Sequence, residues 1–270
     1  MTEPGDTSGL LGELRSLAVE LACAASRVHL DGLRRARDVA TKSAPNDFVS
    51  DVDRLAEATI VERLEVARPH DAVLGEEGTV RRGESGVRWI VDPLDGTTNY
   101  LYGYPAFCSS IGVEVDGETA VGAVSESLTG IVFWAVRGAG AWQDDRPLAV
   151  RGETALAQAL VATGFSYEAR QRARQGAVMA HVLERVGDIR RGGSAALDLC
   201  RLAAGQIDAY FELDLAPWDY AAGRLIAQEA GATVLEMQAS HGKGPAIVGA
   251  TPQLMPAFAA LLREAGAIAA

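Results

Sequence analysis

The sequence predicts an α+β protein folded as a layered α-β-α-β-α sandwich. Three observations carry that prediction: a helical opening, an antiparallel meander in the middle of the chain, and strands alternating with helices after Pro147. With 270 residues, 48% apolar and 23% charged, the chain can bury a large core. One domain over 1–270 is expected, with an N-terminal α+β half at about 9–146 and a C-terminal α/β half at about 147–270. No Pro- or Ser-rich linker and no low-complexity segment separates the halves.

The polar stretch from Met1 to Ser8 is expected to be a loose tail. Leu10, Leu14, Leu17, Leu21, Ala25 and Val28 then recur every three or four residues, the mark of a long amphipathic helix. Asp38 to Phe48 reads as irregular, with Ser50 capping the next helix and Asp53 as its box-like partner. Val52, Leu55, Ala56, Ile60 and Leu64 form the buried stripe of that helix, and Pro69 ends it.

Val73-Leu74 and Val87 to Val91 read as short strands that run into acidic residues. Phe107 to Val115, Thr119 to Ser127 and Ile131 to Val136 are rich in β-branched and aromatic residues. The turn dipeptides Asp116-Gly117 and Thr129-Gly130 separate them, which makes a meander. Beyond Pro147, strands are expected at Leu160 to Thr163, Asp188 to Arg191, Ile207 to Leu213, Thr233 to Glu236 and Ala246 to Ala250. Helices are expected at Glu168 to Val186, Ala195 to Ala204, Trp218 to Ala230 and Pro252 to Ala265.

The net charge of −11 argues against direct nucleic-acid binding, which uses a basic face. Cys23, Cys108 and Cys200 are widely spaced and form no C-x-x-C pair, so they read as buried residues in a reducing cytoplasm. Without a basic-then-apolar leader or a long apolar run, a soluble cytoplasmic protein with no membrane contact is expected. His29, His70, His181 and His241 lack metal-ligand spacing. Trp89, Trp134, Trp142 and Trp218 read as core or interface aromatics.

The most informative segment is Asp92-Pro93-Leu94-Asp95-Gly96-Thr97. A buried strand ends at Asp92, Pro93 stops further pairing, and a short helix can begin at Gly96-Thr97. Two carboxylates with the Leu94 carbonyl between them are hard oxygen donors that suit Mg²⁺. The free amides of Gly96 and Thr97 suit a phosphate. Alone, Asp92 and Asp95 read more readily as turn and cap residues. Three further acidic elements change the balance: Gly75-Glu76-Glu77 after a strand, Asp219 in the first turn of a helix, and Asp47, Asp51 and Asp53 near a helix start.

These motifs, D-P-L-D-G-T, G-E-E, K-S-x-x-x-D-x-V-x-x-x-D from Lys42 to Asp53, and P-W-D-x-A-A-G from Pro217 to Gly223, resemble the inositol monophosphatase family in order and spacing. The resemblance runs from about Lys42 to about Gly231. It implies the sandwich of the inositol monophosphatase and fructose-1,6-bisphosphatase type. It implies a lithium-sensitive enzyme with two or three Mg²⁺ ions, commonly a homodimer. By that resemblance Glu76, Asp92 and the Leu94 carbonyl hold one ion, Asp92, Asp95 and Asp219 a second, and Glu76 shares a third. Thr97 orients the attacking water, and Asp53 hydrogen-bonds Thr97 as a proton relay.

Substrate contacts implied by the same resemblance fall on Asp95, Gly96, Thr97 and Asp219, on Gly193-Ser194-Ala195, and on Glu212, which reads equally as a surface charge. Ser166 lies near another substrate serine of the family, and Lys42 belongs to a loop over the site. The reaction implied is hydrolysis of inositol 1-phosphate to inositol and phosphate. Fructose 1,6-bisphosphate and histidinol phosphate are alternatives, as is a mainly protein-binding role in a transcription complex.

Overall fold

The computed structural model describes residues 4–39, 45–152, 155–242 and 244–269. Two helices open the chain, α1 (Pro4–Val39) and α2 (Pro45–Ala67). Each begins at a proline, whose fixed φ and missing N–H suit a first helical turn. Three expectations are corrected here. Helix α1 already includes Pro4 to Ser8, so these residues are not a loose tail. Asp38 and Val39 finish α1, while Pro45 to Phe48 open α2, so neither part is irregular. Ser50 lies inside α2 and does not cap it, because the helix starts five residues earlier, at Pro45. Lys42 lies outside the described residues. The end of α2 at Ala67, just short of Pro69, is as expected.

The first sheet has the order β2-β1-β3-β4-β5-β6-β7-β8. Its strands are β1 (Ala72–Gly75), β2 (Val80–Arg81), β3 (Val87–Asp95), β4 (Cys108–Val115), β5 (Glu118–Glu126), β6 (Val132–Val136), β7 (Ala141–Gln143) and β8 (Arg146–Pro147). Strands β1 and β3 pair in parallel and the other neighbours antiparallel. The expected meander is β4-β5-β6. Asp116 and Gly117 both take positive φ, 53° and 85°, as a tight hairpin with right-handed strand twist requires.

Strand β3 does not stop at Pro93. Asp92 pairs with Ser110 and Asp95 with Cys108, so three steps on β3 match two on β4. This bulge accommodates a residue with no N–H to donate, and pairing resumes beyond it. The chain then turns through Gly96, at φ 93°, into α3 (Thr97–Tyr102). The expected helix start at Gly96-Thr97 is therefore present, and it rests on a backbone conformation that glycine adopts without strain.

The second sheet, order β10-β9-β11-β13-β12, contains β9 (Leu160–Thr163), β10 (Asp188–Arg190), β11 (Ala209–Leu213), β12 (Thr233–Gln238) and β13 (Pro245–Ala250). Its helices are α4 (Ala169–Leu183), α5 (Ala195–Ala203), α6 (Pro217–Glu229) and α7 (Met255–Glu264). Three cores join the layers. Leu14, Leu21 and Ile60 of α1 and α2 pack on Trp89, Ile111 and Val121 of the first sheet. Leu197, Leu199 and Ile226 of α5 and α6 fill the space between Phe133 of the first sheet and Tyr210 and Ile247 of the second. Val178 and Phe258 of α4 and α7 cover Val161, Phe211 and Val248 on the far face. The result is the expected α-β-α-β-α sandwich. Each fully buried Leu or Ile contributes roughly 1.5–3 kcal/mol to holding the layers together.

Candidate active site

The C-terminal ends of β1, β3 and β11 and the N-terminal ends of α3, α5 and α6 surround a pocket of about 380 Å³. Glu76, Asp92, Leu94, Asp95, Gly96 and Thr97 line one side, and Gly193, Ala195, Glu212 and Asp219 the other. Residues from both halves of the sequence therefore meet at one place. Strand ends and helix starts are rigid mounts for these side chains, and the first-turn amide of Ala196 is already donated to Asp95.

Asp92 is 1% exposed, and its Oδ1 has no hydrogen-bond partner. Burial pushes its carboxyl well above the ordinary carboxylate range, helped by the nearby charges of Glu76, Asp95 and Asp219. Its carboxyl interacts directly with that of Glu76. Glu76 keeps an open outer side. Loss of hydration at its carboxyl raises it, the Asp92 bond lowers it, and the charges of Asp95 and Glu77 raise it further.

Asp95 Oδ2 accepts the Ser194 hydroxyl at 2.6 Å and the Ala196 amide at 2.8 Å. These bonds fasten the end of β3 to the start of α5, and they lower a carboxyl that burial raises. Asp219 Oδ2 accepts the Ala216 amide at 2.6 Å, and burial with the Asp95 charge pushes Asp219 up to about 7. Among the described residues, no group of three or more His, Cys, Asp or Glu side chains is arranged to hold a metal ion. Asp92 and Glu76 face each other, while Asp95 and Asp219 are turned onto protein donors.

Asp53 is 4% exposed on α2 and stands behind the pocket wall. Burial, then the charges of Glu77, Glu76 and Glu57, pushes it up to about 8, and its Oδ1 has no hydrogen-bond partner. The hydrogen bond expected between Asp53 and Thr97 is not made. The Thr97 hydroxyl has one proton and donates it to the Leu94 carbonyl, at 3.0 Å. Asp51, by contrast, is an exposed helix charge paired with Arg54 at 3.0 Å.

Ser194 does not line the pocket. It caps α5 by accepting the Leu197 amide at 3.2 Å and donates its hydroxyl proton to Asp95. Glu212 is no surface charge: it lines the pocket, accepts the Tyr210 hydroxyl at 3.0 Å, and is pushed up to about 8 by burial. Ser166 lines the pocket too, with its hydroxyl accepting the Glu168 amide at 3.1 Å. Trp218 belongs to the pocket wall and not to the core, whereas Trp89 is fully buried and donates to Asp71 at 2.9 Å.

The motifs passed over Phe165, Tyr167, Arg191, Leu213 and Leu215, which also line the wall. Leu213 ends β11 and the others sit in connections, and none belongs to a motif, so only the packing brings them in. Glu57 was also passed over, and a signal existed: it lies one helical turn after Asp53, on the same face of α2.

His29 reaches this site from α1. One ring nitrogen lies 2.9 Å from the Pro93 carbonyl, at the bulge, and the other 2.8 Å from the Ser127 hydroxyl. Burial lowers His29 to about 4 despite the Pro93 bond, which raises it. The unfolded chain takes up this proton near pH 6.5 and the folded chain only near 4. The His29 contribution to stability therefore falls as pH drops through that window, by on the order of 3 kcal/mol at its acid end, against the opposite trend of the buried carboxyls. In urea unfolding, the stability of His29→Asn relative to the parent should rise as pH drops from 6.5 to 4.5. Parallel slopes would remove His29 as the cause.

A model of the inositol monophosphatase family matches residues 10–267 of the chain. An inositol-1-monophosphatase of Mycobacterium bovis is 41% identical over 284 aligned residues, covering 98% of this chain and 97% of the relative. A protein of Vibrio cholerae named Nus factor SuhB is 41% identical over 230 residues, covering 84% of this chain and 86% of that one. The solved structure of Mycobacterium tuberculosis SuhB superposes with a TM-score of 0.84 at 40% identity, covering 95% of this chain and 98% of the other.

Proposed function

This chain belongs to the inositol monophosphatase family, and from that premise we propose that it is a Mg²⁺-dependent phosphomonoesterase that hydrolyses inositol 1-phosphate. The observation that carries the proposal is the buried, unpartnered Asp92 Oδ1 among Glu76, Asp95 and Asp219. An orphaned oxygen in a cluster of carboxylates with raised pKa values is a fit for a hard dication, because protons otherwise have to offset the repulsion. Glu76, Asp92 and the Leu94 carbonyl would hold one Mg²⁺, Asp92, Asp95 and Asp219 a second, and Glu76 a share of a third. Bound there, Mg²⁺ supplies charge neutralisation for the phosphate and a more acidic water.

The chain's own residues supply the rest. The Gly96 and Thr97 amides face the phosphate oxygens at the start of α3. Thr97, once its hydroxyl turns from the Leu94 carbonyl, orients the water, and Asp53 takes the proton that passes through it. Glu212, pushed up to about 8, is protonated near neutral pH and donates to a polyol hydroxyl. The start of α5 at Gly193 and Ala195, together with Asp95 and Asp219, borders the same hydroxyls. Phe165, Leu213 and Trp218 are the apolar walls that limit water.

The test is a panel of inositol 1-phosphate, fructose 1,6-bisphosphate and histidinol phosphate, each assayed with and without Mg²⁺. Release of phosphate from inositol 1-phosphate in preference to the others, and only with Mg²⁺, is the expected result. Preference for another member replaces the substrate. Inactivity on all three favours the second reading, a protein-binding role, which rests on the relative named Nus factor SuhB. The family resemblance also supports a homodimer, measurable by sedimentation equilibrium. Among the described residues no helix is long and apolar enough to cross a membrane.

A further inference from the structure

We propose that Glu57 is a positioning residue that holds the Glu76 turn in the shape that accepts Mg²⁺. The proposal rests on the Mg²⁺ reading above. Glu57 is 4% exposed on α2, one helical turn after Asp53. A carboxylate so buried needs strong donors. Its donors come from the turn between β1 and β2: the Glu77 amide on Oε2 at 2.9 Å, and the Thr79 amide and hydroxyl on Oε1 at 3.1 and 2.6 Å.

That turn carries Glu76, and its tip at Glu76, Glu77 and Gly78 is exposed, so little packing holds it. Its inner side is tied to β3 by the Glu76 amide on the Val91 carbonyl at 3.1 Å, and closed on itself by the Gly75 amide on the Thr79 carbonyl at 2.8 Å. Glu57 supplies the outer tie. Gly75 makes the approach possible: a Cβ there would overlap Glu57 Oε2 and lie 2.7 Å from its Cδ. Two features far apart in sequence thus form one device. The glycine clears a space, and the carboxylate uses it to fix the backbone on either side of Gly78, next to the ligand.

The geometry needs both oxygens as acceptors. Glutamine keeps the volume but offers one acceptor oxygen and sets an NH₂ group against an N–H. Gly75→Ala expels the carboxylate without changing any charge, and Thr79→Val removes the shortest donor, also without a charge change. Glu62→Gln, on the exposed side of α2, makes the same charge change as Glu57→Gln but lies away from the turn.

The experiment is calorimetric titration of the full chain and these variants with Mg²⁺ alone, with near-UV circular dichroism to confirm folding. Glu57→Gln and Gly75→Ala should bind Mg²⁺ about 10- to 100-fold more weakly, the range seen when partners of metal ligands are lost. Thr79→Val should weaken it in the same direction by less, and Glu62→Gln should stay within about twofold. Saturating Mg²⁺ should restore most of the kcat of Glu57→Gln, since the ligands themselves remain, whereas general loss of structure would not be rescued. A parent that fails to bind Mg²⁺ overturns the reading beneath the proposal. A parent that binds, with folded Glu57→Gln and Gly75→Ala binding equally well, overturns the positioning role alone. Should both fail to fold, folded Thr79→Val decides, and unchanged affinity there overturns the proposal.

Discussion

Asp92→Asn should lower Mg²⁺-dependent phosphate release by about three orders of magnitude and, at the same time, raise the melting temperature of the metal-free protein. The loss follows from the position of Asp92 between both proposed ions: removing its charge forfeits several kcal/mol of transition-state stabilisation, at 1.36 kcal/mol per tenfold. The gain follows from the cost of the same group when no cation is present. Asp92 is buried, has an unpartnered oxygen, and is pushed well above the usual carboxylate range by burial and by its acidic neighbours.

The sign of the pH dependence follows. A carboxyl raised on folding contributes stability below its unfolded pKa, near 4, and that contribution is lost as pH rises through its folded pKa. Asp219 at about 7 and Asp53 at about 8 act in the same direction as Asp92. Metal-free parent protein should therefore lose stability as pH rises from about 4 towards 8, and Asp92→Asn should lose less. Each kcal/mol relieved raises the melting temperature of a chain this size by roughly 2–4 °C. Added Mg²⁺ should stabilise the parent by mass action and leave Asp92→Asn nearly unchanged. Scanning calorimetry at pH 5 and pH 8, with and without Mg²⁺, measures both effects. A variant destabilised without metal, or stabilised by Mg²⁺ as the parent is, would be incompatible with the role given to Asp92.

Asp53→Asn should cost about 10²- to 10⁴-fold in kcat, the span of a positioned general base, and should abolish the rise of kcat with pH. Asp53 is pushed up to about 8 by burial and by Glu77, Glu76 and Glu57. Only the ionised form accepts a proton, so kcat of the parent rises with pH until Asp53 is ionised and then levels. Cations in the pocket favour that ionised form, which places the midpoint at or below about 8. Thr97→Ala should cost a similar factor. Groups acting as one relay are strongly non-additive, so the double variant should lose little more than either single one. Multiplying losses, or an unaltered pH profile in Asp53→Asn, would separate the two residues.

The candidate site was legible in large part because its parts announce themselves locally. D-P-L-D-G-T places two carboxylates at a strand end beside a glycine that can turn into a helix, and the structure puts Asp92, Asp95 and Thr97 around one pocket. Asp219 was legible from its place in the first turn of α6, and Glu76 from the strand before it. What misled was equally local. Ser50 and Asp53 resemble a helix start, yet Pro45 had already begun α2. Pro93 resembles a strand stop, yet a bulge absorbs it.

The sequence by itself determined the order of the longer elements, the meander, the acidic motifs and the family, but not the short strands β2, β7 and β8. The first three rest on periodicity, turn chemistry or spacing within about a dozen residues, and the family on the resemblance of ordered motifs from about Lys42 to about Gly231. Only the tertiary structure decided what each charged group does. Ser194 stands 99 residues from the aspartate it fastens, and His29 and Pro93 are 64 apart. Glu57 reaches across 20 and 22 residues to the turn it holds. Such pairings depend on which faces of distant elements meet when the layers close, and no short-range signal in the chain encodes that meeting.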